Sequence, residues 1–167
     1  MKRNVTAIIL CAIVVLAACG VASAANDEPD EICGDDPATW GPTEHSSLSE
    51  AERAAGINLQ VPEKILDTGA SEFLTWYGEK YIEVIYADGD NETACVRKEA
   101  DIEDISGDYN EYPAVTELNI DGNTVTFKGE NGMIMLAVWA ADGCGYAVSV
   151  PGGVSTDAMT ELVKQVK

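Results

Sequence analysis

The run from residue 116 to residue 140 constrains the fold of this chain more than any other stretch. Residues 116–120 and 123–128 are rich in β-branched and apolar side chains, and only Asp121-Gly122 separates them. An Asp-Gly pair accepts positive φ at both positions, the geometry that joins two strands with matching twist. Glu130-Asn131-Gly132 then turns the chain into residues 133–140, which are apolar at both parities. Met135, Ala137 and Trp139 share one side, and Ile134, Leu136 and Val138 share the other. A strand of this kind is buried on both faces, so it belongs at the centre of a sheet covered on both sides.

Other elements follow from the same logic. Residues 71–77 and 80–87 read as strands separated by Gly78-Glu79, with Ile82, Val84 and Tyr86 on one face. Asp88-Gly89-Asp90-Asn91 is a turn, residues 92–98 return as a strand, and residues 146–150 form the last strand, closed by Pro151-Gly152-Gly153. Ser47-Leu48-Ser49-Glu50 is a capping-box pattern. It opens a short helix whose Leu48, Ala51, Ala54 and Ala55 lie at helical spacing before Gly56. Ile57, Leu59 and Val61 alternate as a short strand or extended arm. A closing helix is capped by Ser155 or Thr156, and its Met159, Leu162, Val163 and Val166 form an apolar stripe suited to docking on a sheet. The expected fold is α+β: a largely antiparallel meander with a short N-terminal helix and a C-terminal helix packed on it.

The N-terminal segment points outside the cytoplasm. Met1-Lys2-Arg3 precedes a stretch from Asn4 to Asn26 without a charge, the layout of a secretory signal. Two processing sites compete. Ala22-Ser23-Ala24 is a small–x–small pattern that ends a signal peptide at residue 24. Leu16-Ala17-Ala18-Cys19 has the form of a lipobox, with the signal ending at residue 18 and Cys19 becoming the lipidated N-terminus. Residues 25–45 carry Asp27, Glu28, Asp30, Glu31, Asp35 and Asp36 with Pro37 and Pro42, and read as an acidic linker to a single domain at 46–167. Trp40 is the exception in that tract, an aromatic expected to pack back on the domain.

Charge narrows the partners. Lys2 and Arg3 leave with the signal, so 8 basic residues face 29 acidic ones, a net of −21. This balance argues against nucleic acid, whose binding draws on Lys and Arg. It also argues against docking on anionic lipid through a basic patch, which leaves a lipid anchor as the one membrane link. An envelope protein or a small ligand remains as partner. Cys33, Cys95 and Cys144 follow the signal, and export allows one disulfide among them with one thiol left over. Cys95 and Cys144 both lie on expected strands, which allows them to be neighbours, and Cys33 lies in the acidic tract.

Several segments in order carry a resemblance. They are Ser47-Leu48-Ser49-Glu50-Ala51-Glu52 leading to Ala55-Gly56 and Val61-Pro62, then Ile82-Glu83-Val84-Ile85-Tyr86, and Val96-Arg97-Lys98. Ile105-Ser106-Gly107-Asp108-Tyr109-Asn110-Glu111-Tyr112 is the most specific, followed by Lys128-Gly129, Leu136-Ala137-Val138-Trp139 and Tyr146-Ala147-Val148-Ser149-Val150. Over residues 40–167 the chain resembles a family of exported, often lipoprotein-type bacterial domains filed only as a domain of unknown function. The resemblance implies location and fold and transfers no catalytic residue. Cys95 and Cys144 depart from it, since other members lack cysteine there, so a bridge between them would be a local feature.

Chemistry is thinly signalled. His45 is the only histidine and reads as a solvated loop residue. No Gly-x-Ser-x-Gly elbow or His-Glu-x-x-His helix is present. Asp104, Ser106, Asp108 and Asn110 imitate the start of a calcium loop, but Tyr109 and Val115 stand where glycine and a bidentate glutamate are required. No catalytic residue, cofactor or metal site is assigned. The reading is a non-enzymatic binding or sensing domain at the cell envelope. Its alternatives are a hydrolase acting through two facing carboxylates, or a carrier with an apolar cavity between sheet and helix. Ile105, Tyr109 and Tyr112 are expected to pin the 104–112 loop to the sheet, with both tyrosines at least partly buried.

Overall fold

The computed structural model describes residues 41–100 and 105–167. In chain order the elements are β1 (Pro42–His45), α1 (Leu48–Ala55), β2 (Lys64–Ile65), β3 (Thr68–Trp76), β4 (Tyr81–Asp88), β5 (Asn91–Glu99), β6 (Ala114–Ile120), β7 (Asn123–Glu130), β8 (Met133–Ala141), β9 (Cys144–Val154) and α2 (Thr156–Gln165). The strands form one sheet in the order β1-β3-β4-β5-β9-β8-β7-β6, with the two-residue β2 paired to β3. Every pairing is antiparallel. The topology is two meanders rather than one. β3, β4 and β5 run in sequence, the chain then crosses to the far edge at β6, and β7, β8 and β9 bring it back beside β5.

Turn chemistry explains the hairpins. Asp121-Gly122, Asn131-Gly132 and Asp142-Gly143 all have positive φ at both positions, the condition for tight two-residue loops. Leu66-Asp67 has the same geometry, with φ of 50° and 65°, and joins β2 to β3. Leucine is a poor turn residue by its side chain, which is why this hairpin has no sequence signal. At Gly129 the β7–β8 ladder shifts register, and a Cβ there would sit 2.0 Å from the Met133 carbonyl oxygen. Only glycine lets the strands approach so closely.

One face of the sheet carries the main core. Ile82, Val84 and Tyr86, Ala94 and Val96, Tyr146, Val148 and Val150, Trp139 and Phe127 are buried there. Both helices cover this face, through Ala51 and Ala55 of α1 and Met159 and Val163 of α2. Helix α1 is capped by Ser47, whose hydroxyl accepts from the Glu50 amide. The Glu50 carboxylate reaches back one residue further, to the amide and hydroxyl of Ser46. Ala54 is exposed, so the buried stripe of α1 is narrower than its spacing predicts. Residues 57–62 form the extended arm, in which the Gln60 amide donates to the Lys167 carbonyl and the Lys167 amide donates to the Gln60 carbonyl. The buried Tyr86 hydroxyl donates to the Pro62 carbonyl at 2.6 Å, and burial pushes its pKa up to about 12.

Two boundaries need correction. The acidic linker expected through residue 45 gives way to β1 at Pro42, so the domain begins before residue 46. β1 pairs with β3 on one side only, and an edge strand tolerates a proline that lacks an amide donor. Pro151-Gly152-Gly153 does not close the last strand. The β9 strand continues to Val154, and between Ile134↔Val154 and Leu136↔Ser149 the extra β9 residues form a bulge. The signal segment, Cys19, Cys33 and Trp40 lie outside the described residues.

Candidate functional site

Strand alternation sends Tyr81, Glu83, Cys95 and Arg97 to the sheet face opposite the helices, because their neighbours Ile82, Val84, Ala94 and Val96 fill the main core. Glu83 and Arg97 stand directly across the β4–β5 ladder. Arg97 Nη2 donates to Glu83 Oε1 at 2.9 Å, and the Cys95 thiol donates to the same oxygen at 3.3 Å. The Tyr81 hydroxyl donates to Glu83 Oε2 at 2.8 Å. Burial opposes the charge on Glu83, but hydrogen bonds from Arg97 and Tyr81 outweigh it and hold the carboxyl below its ordinary value. Burial raises the Tyr81 hydroxyl and the Cys95 thiol well above theirs, so both stay protonated donors. Arg97 Nε is buried and has no hydrogen-bond partner among the described residues.

The segment after β5 roofs the neighbouring part of this face. Ile105 is buried with Leu136 and Ala147, and Tyr112 and Val138 pack against that cluster. Gly107 adopts φ +63°, and a Cβ there would lie 3.1 Å from Arg97 Nη1. Asp108 then organises the turn. Its Oδ1 accepts from the Asn110 amide at 2.8 Å and from Asn110 Nδ2 at 2.7 Å, and its Oδ2 accepts from the Tyr112 hydroxyl. Burial works against the Asp108 charge, yet the bonds from Tyr112 and Asn110 hold its carboxyl below the ordinary value. The Tyr112 hydroxyl is pushed up to about 12, by burial first and by Asp108 second.

Between this turn and the sheet lies a cleft of about 480 Å³. Arg97, Ser106 and Ser149 supply polar groups, Met135 supplies an apolar one, and Asp108 and Tyr109 stand at the turn. A second hollow, of about 380 Å³, lies between α2 and the end of the sheet. Lys98, Asp121, Asp142 and Lys164 line it beside Trp139 and Tyr146. Trp139 and Tyr146 stack at 5.1 Å, and Lys98 Nζ lies 5.0 Å from the Tyr146 ring centre.

Several expectations meet this geometry unevenly. Tyr112 is half-buried as expected, but Tyr109 is 98% exposed. The turn around Asp108 uses Asn110 and Tyr112 as its anchors and leaves Tyr109, between Asp108 and Asn110, pointing to solvent. His45 is not a loop residue. It sits half-buried on β1, with Nε2 2.9 Å from Thr75 Oγ1. Cys95 and Cys144 are free thiols. Cys95 bonds Glu83 on one face, while Cys144 packs with the main core on the other, so the sheet separates them. Glu92 is raised by burial while Glu83 is lowered, the divergence expected of an acid–base pair. Both oxygens of Glu83 are nonetheless occupied by Arg97, Cys95 and Tyr81, so it serves as a structural acceptor.

Tyr81, Glu83 and Arg97 stand in no catalytic or binding motif of the sequence. The available signal was alternation: Glu83 and Arg97 each interrupt an apolar strand at the parity opposite its core residues. Comparison with protein-family models, curated proteins and solved structures finds no match to this chain.

Proposed function

We propose that the protein is a non-enzymatic binding or sensing domain that works outside the cytoplasm, and that the cleft beside Arg97 receives its ligand. The observation behind this reading is the cleft itself. It combines an arginine, two serines and an apolar wall, a mixture suited to a small polar ligand with one apolar side. Glu83 already balances Arg97, and Asp108 is held ionised, so the cleft offers no excess positive charge to an anion. Its base is rigid, because Arg97 is fixed by Glu83 and the roof is fixed by Ile105 and Tyr112. The envelope location rests on the signal segment, with Cys19 as lipid anchor or cleavage before Ala25, and the segment-wise resemblance to exported domains agrees with it.

Amide resonances of the labelled protein, followed during titration with separate pools of neutral sugars, amino acids and dicarboxylates, test the cleft. Shifts gathered at Ser106, Gly107, Asn110 and Ser149 are expected with one of the neutral or zwitterionic pools. Shifts confined to α2 and Tyr146 would move the site to the other hollow. Location is tested separately: Cys19→Ala should move the protein from membrane to medium, and a native mass beginning at Ala25 would end the lipid-anchor reading.

A further inference from the structure

Arg97 and Asp108 are the charged residues that line the cleft between the 105–112 segment and the sheet, and both are already partnered. Arg97 Nη2 donates to Glu83 Oε1 at 2.9 Å. Asp108 accepts two bonds from Asn110 and one from Tyr112. A ligand carboxylate would have to draw Arg97 away from Glu83 and leave an enclosed charge unpaired, which is costly. A ligand ammonium would have to displace the donors that hold the turn at Asp108. A quaternary cation is recognised by a cage of rings, and among the described residues Tyr109 is the only exposed ring at this cleft. The ligand that fits these constraints is uncharged.

Tyr109 supplies the second constraint. Its neighbours Asp108 and Asn110 are bonded to each other, so the backbone beneath it is held while its ring stands 98% exposed. A tyrosine has only two side-chain dihedrals to fix, so turning its ring onto a ligand costs little entropy. Met135 on β8 and Pro151 on β9 line the sheet side of the cleft, and Tyr109 stands on the turn side. Apolar surface is therefore available on both sides of an occupant. Around it Arg97, Ser149 and Asn110 carry groups that donate to or accept from hydroxyls. The volume of about 480 Å³ lies within the range of roughly 300–1,000 Å³ usual for small-ligand sites.

We infer that the cleft takes a neutral saccharide, with one face of a pyranose ring stacked on Tyr109. A pyranose is uncharged, has hydroxyls around its rim and presents C–H groups above and below the ring, which matches the placement of polar and apolar groups here. The inference rests on the proposal that this cleft is the binding site. It makes Tyr109 a specificity-determining residue with little part in the fold.

Amide titrations of the labelled protein with maltose, cellobiose and chitobiose, run beside glycine, choline and adenosine, test it. At least one disaccharide should shift Ser106, Gly107, Asn110 and Ser149. Its affinity should stay within about twofold between roughly 0.1 M and 1 M salt, because no ion pair forms. Tyr109→Ala should weaken that binding about tenfold or more and Tyr109→Phe by less than about threefold, with the unfolding midpoint of each near wild type. Shifts at these amides from glycine, choline or adenosine but from no disaccharide would overturn the saccharide and leave the cleft as the site. No shift at these amides from any probe would overturn the cleft and the saccharide together. Undiminished disaccharide affinity in Tyr109→Ala would overturn the stacking on Tyr109.

Discussion

Glu83 and Arg97 face each other across the β4–β5 ladder with 2.9 Å between Oε1 and Nη2, and their side chains are 13% and 22% exposed. A pair this enclosed is stable only while both members are present, because a single survivor is left charged in poor contact with water. Arg97→Met is expected to destabilise by about 2–3 kcal/mol, below the roughly 3–5 kcal/mol of a fully buried pair. Restoring neutrality with Glu83→Gln in the same chain should recover part of that loss. Urea unfolding of the two single variants and the double variant measures the coupling.

Acid should act through the same carboxylate. Glu83 is held below its ordinary value of 4.5, so the folded state binds its proton less readily than the unfolded state does. Its stabilisation is therefore complete above about pH 4.5 and is lost as pH falls through the folded value. Asp108 adds in the same direction below its ordinary value of 3.8. Thermal melts between neutral pH and about pH 3 should show a shallower acid slope for Glu83→Gln than for the wild type.

Gly107→Ala tests the roof of the cleft. An alanine at φ +63° is strained, and its Cβ would lie 3.1 Å from Arg97 Nη1. The expected loss is about 1–2 kcal/mol, the penalty for an L-residue in left-handed conformation. The same substitution should weaken any ligand held beside Arg97, which amide shifts at Ser149 report.

Tyr109 and Tyr112 should separate cleanly. With 98% of its surface exposed, Tyr109 adds little to the fold, and Tyr109→Ala should leave the unfolding midpoint within about 0.5 kcal/mol of wild type. Tyr112→Ala removes a side chain packed on the Ile105 cluster and the donor to Asp108, so a loss of about 1–3 kcal/mol is expected. A midpoint shift from Tyr109→Ala larger than that from Tyr112→Ala would show that the turn adopts another arrangement in solution.

Thiol labelling distinguishes the cysteines. Cys95 is 1% exposed and its thiol is raised by burial, whereas Cys144 is half-buried at the start of β9. Cys144 should react with a maleimide at least about tenfold faster than Cys95 near pH 7.5, because reaction needs both access and thiolate. Digestion and mass analysis of the labelled protein reads this directly.

Hairpin positions were legible in the sequence because local chemistry dictates them. Asp121-Gly122 and Asn131-Gly132 can hold positive φ at low cost, and the strands on either side carry the alternation that fixes register. Met159 and Val163 likewise announced the buried stripe of α2. The order of strands was not legible, since nothing local in β5 or β9 states that they pair. The Leu66-Asp67 turn was hidden because tertiary pairing, not residue preference, holds it. At the candidate site the turn at Gly107 was readable, but the side on which Tyr109 emerges depends on Asp108 bonding Asn110 and Tyr112. The Glu83–Arg97 pair needed the register of two strands before either residue acquired a partner.

The adjacency of β5 and β9 has a consequence for how the chain is made. Val96 meets Val148, and the intervening residues include three whole strands of the second meander. Until β9 arrives, β5 has neighbours on one side only and offers a free row of amides and carbonyls to any extended chain nearby. Contacts this distant in sequence form slowly. A nascent molecule that still lacks the residues from Cys144 onward thus exposes the strand that later lies mid-sheet, and completion of the C-terminal meander is the step that removes its capacity for wrong pairing.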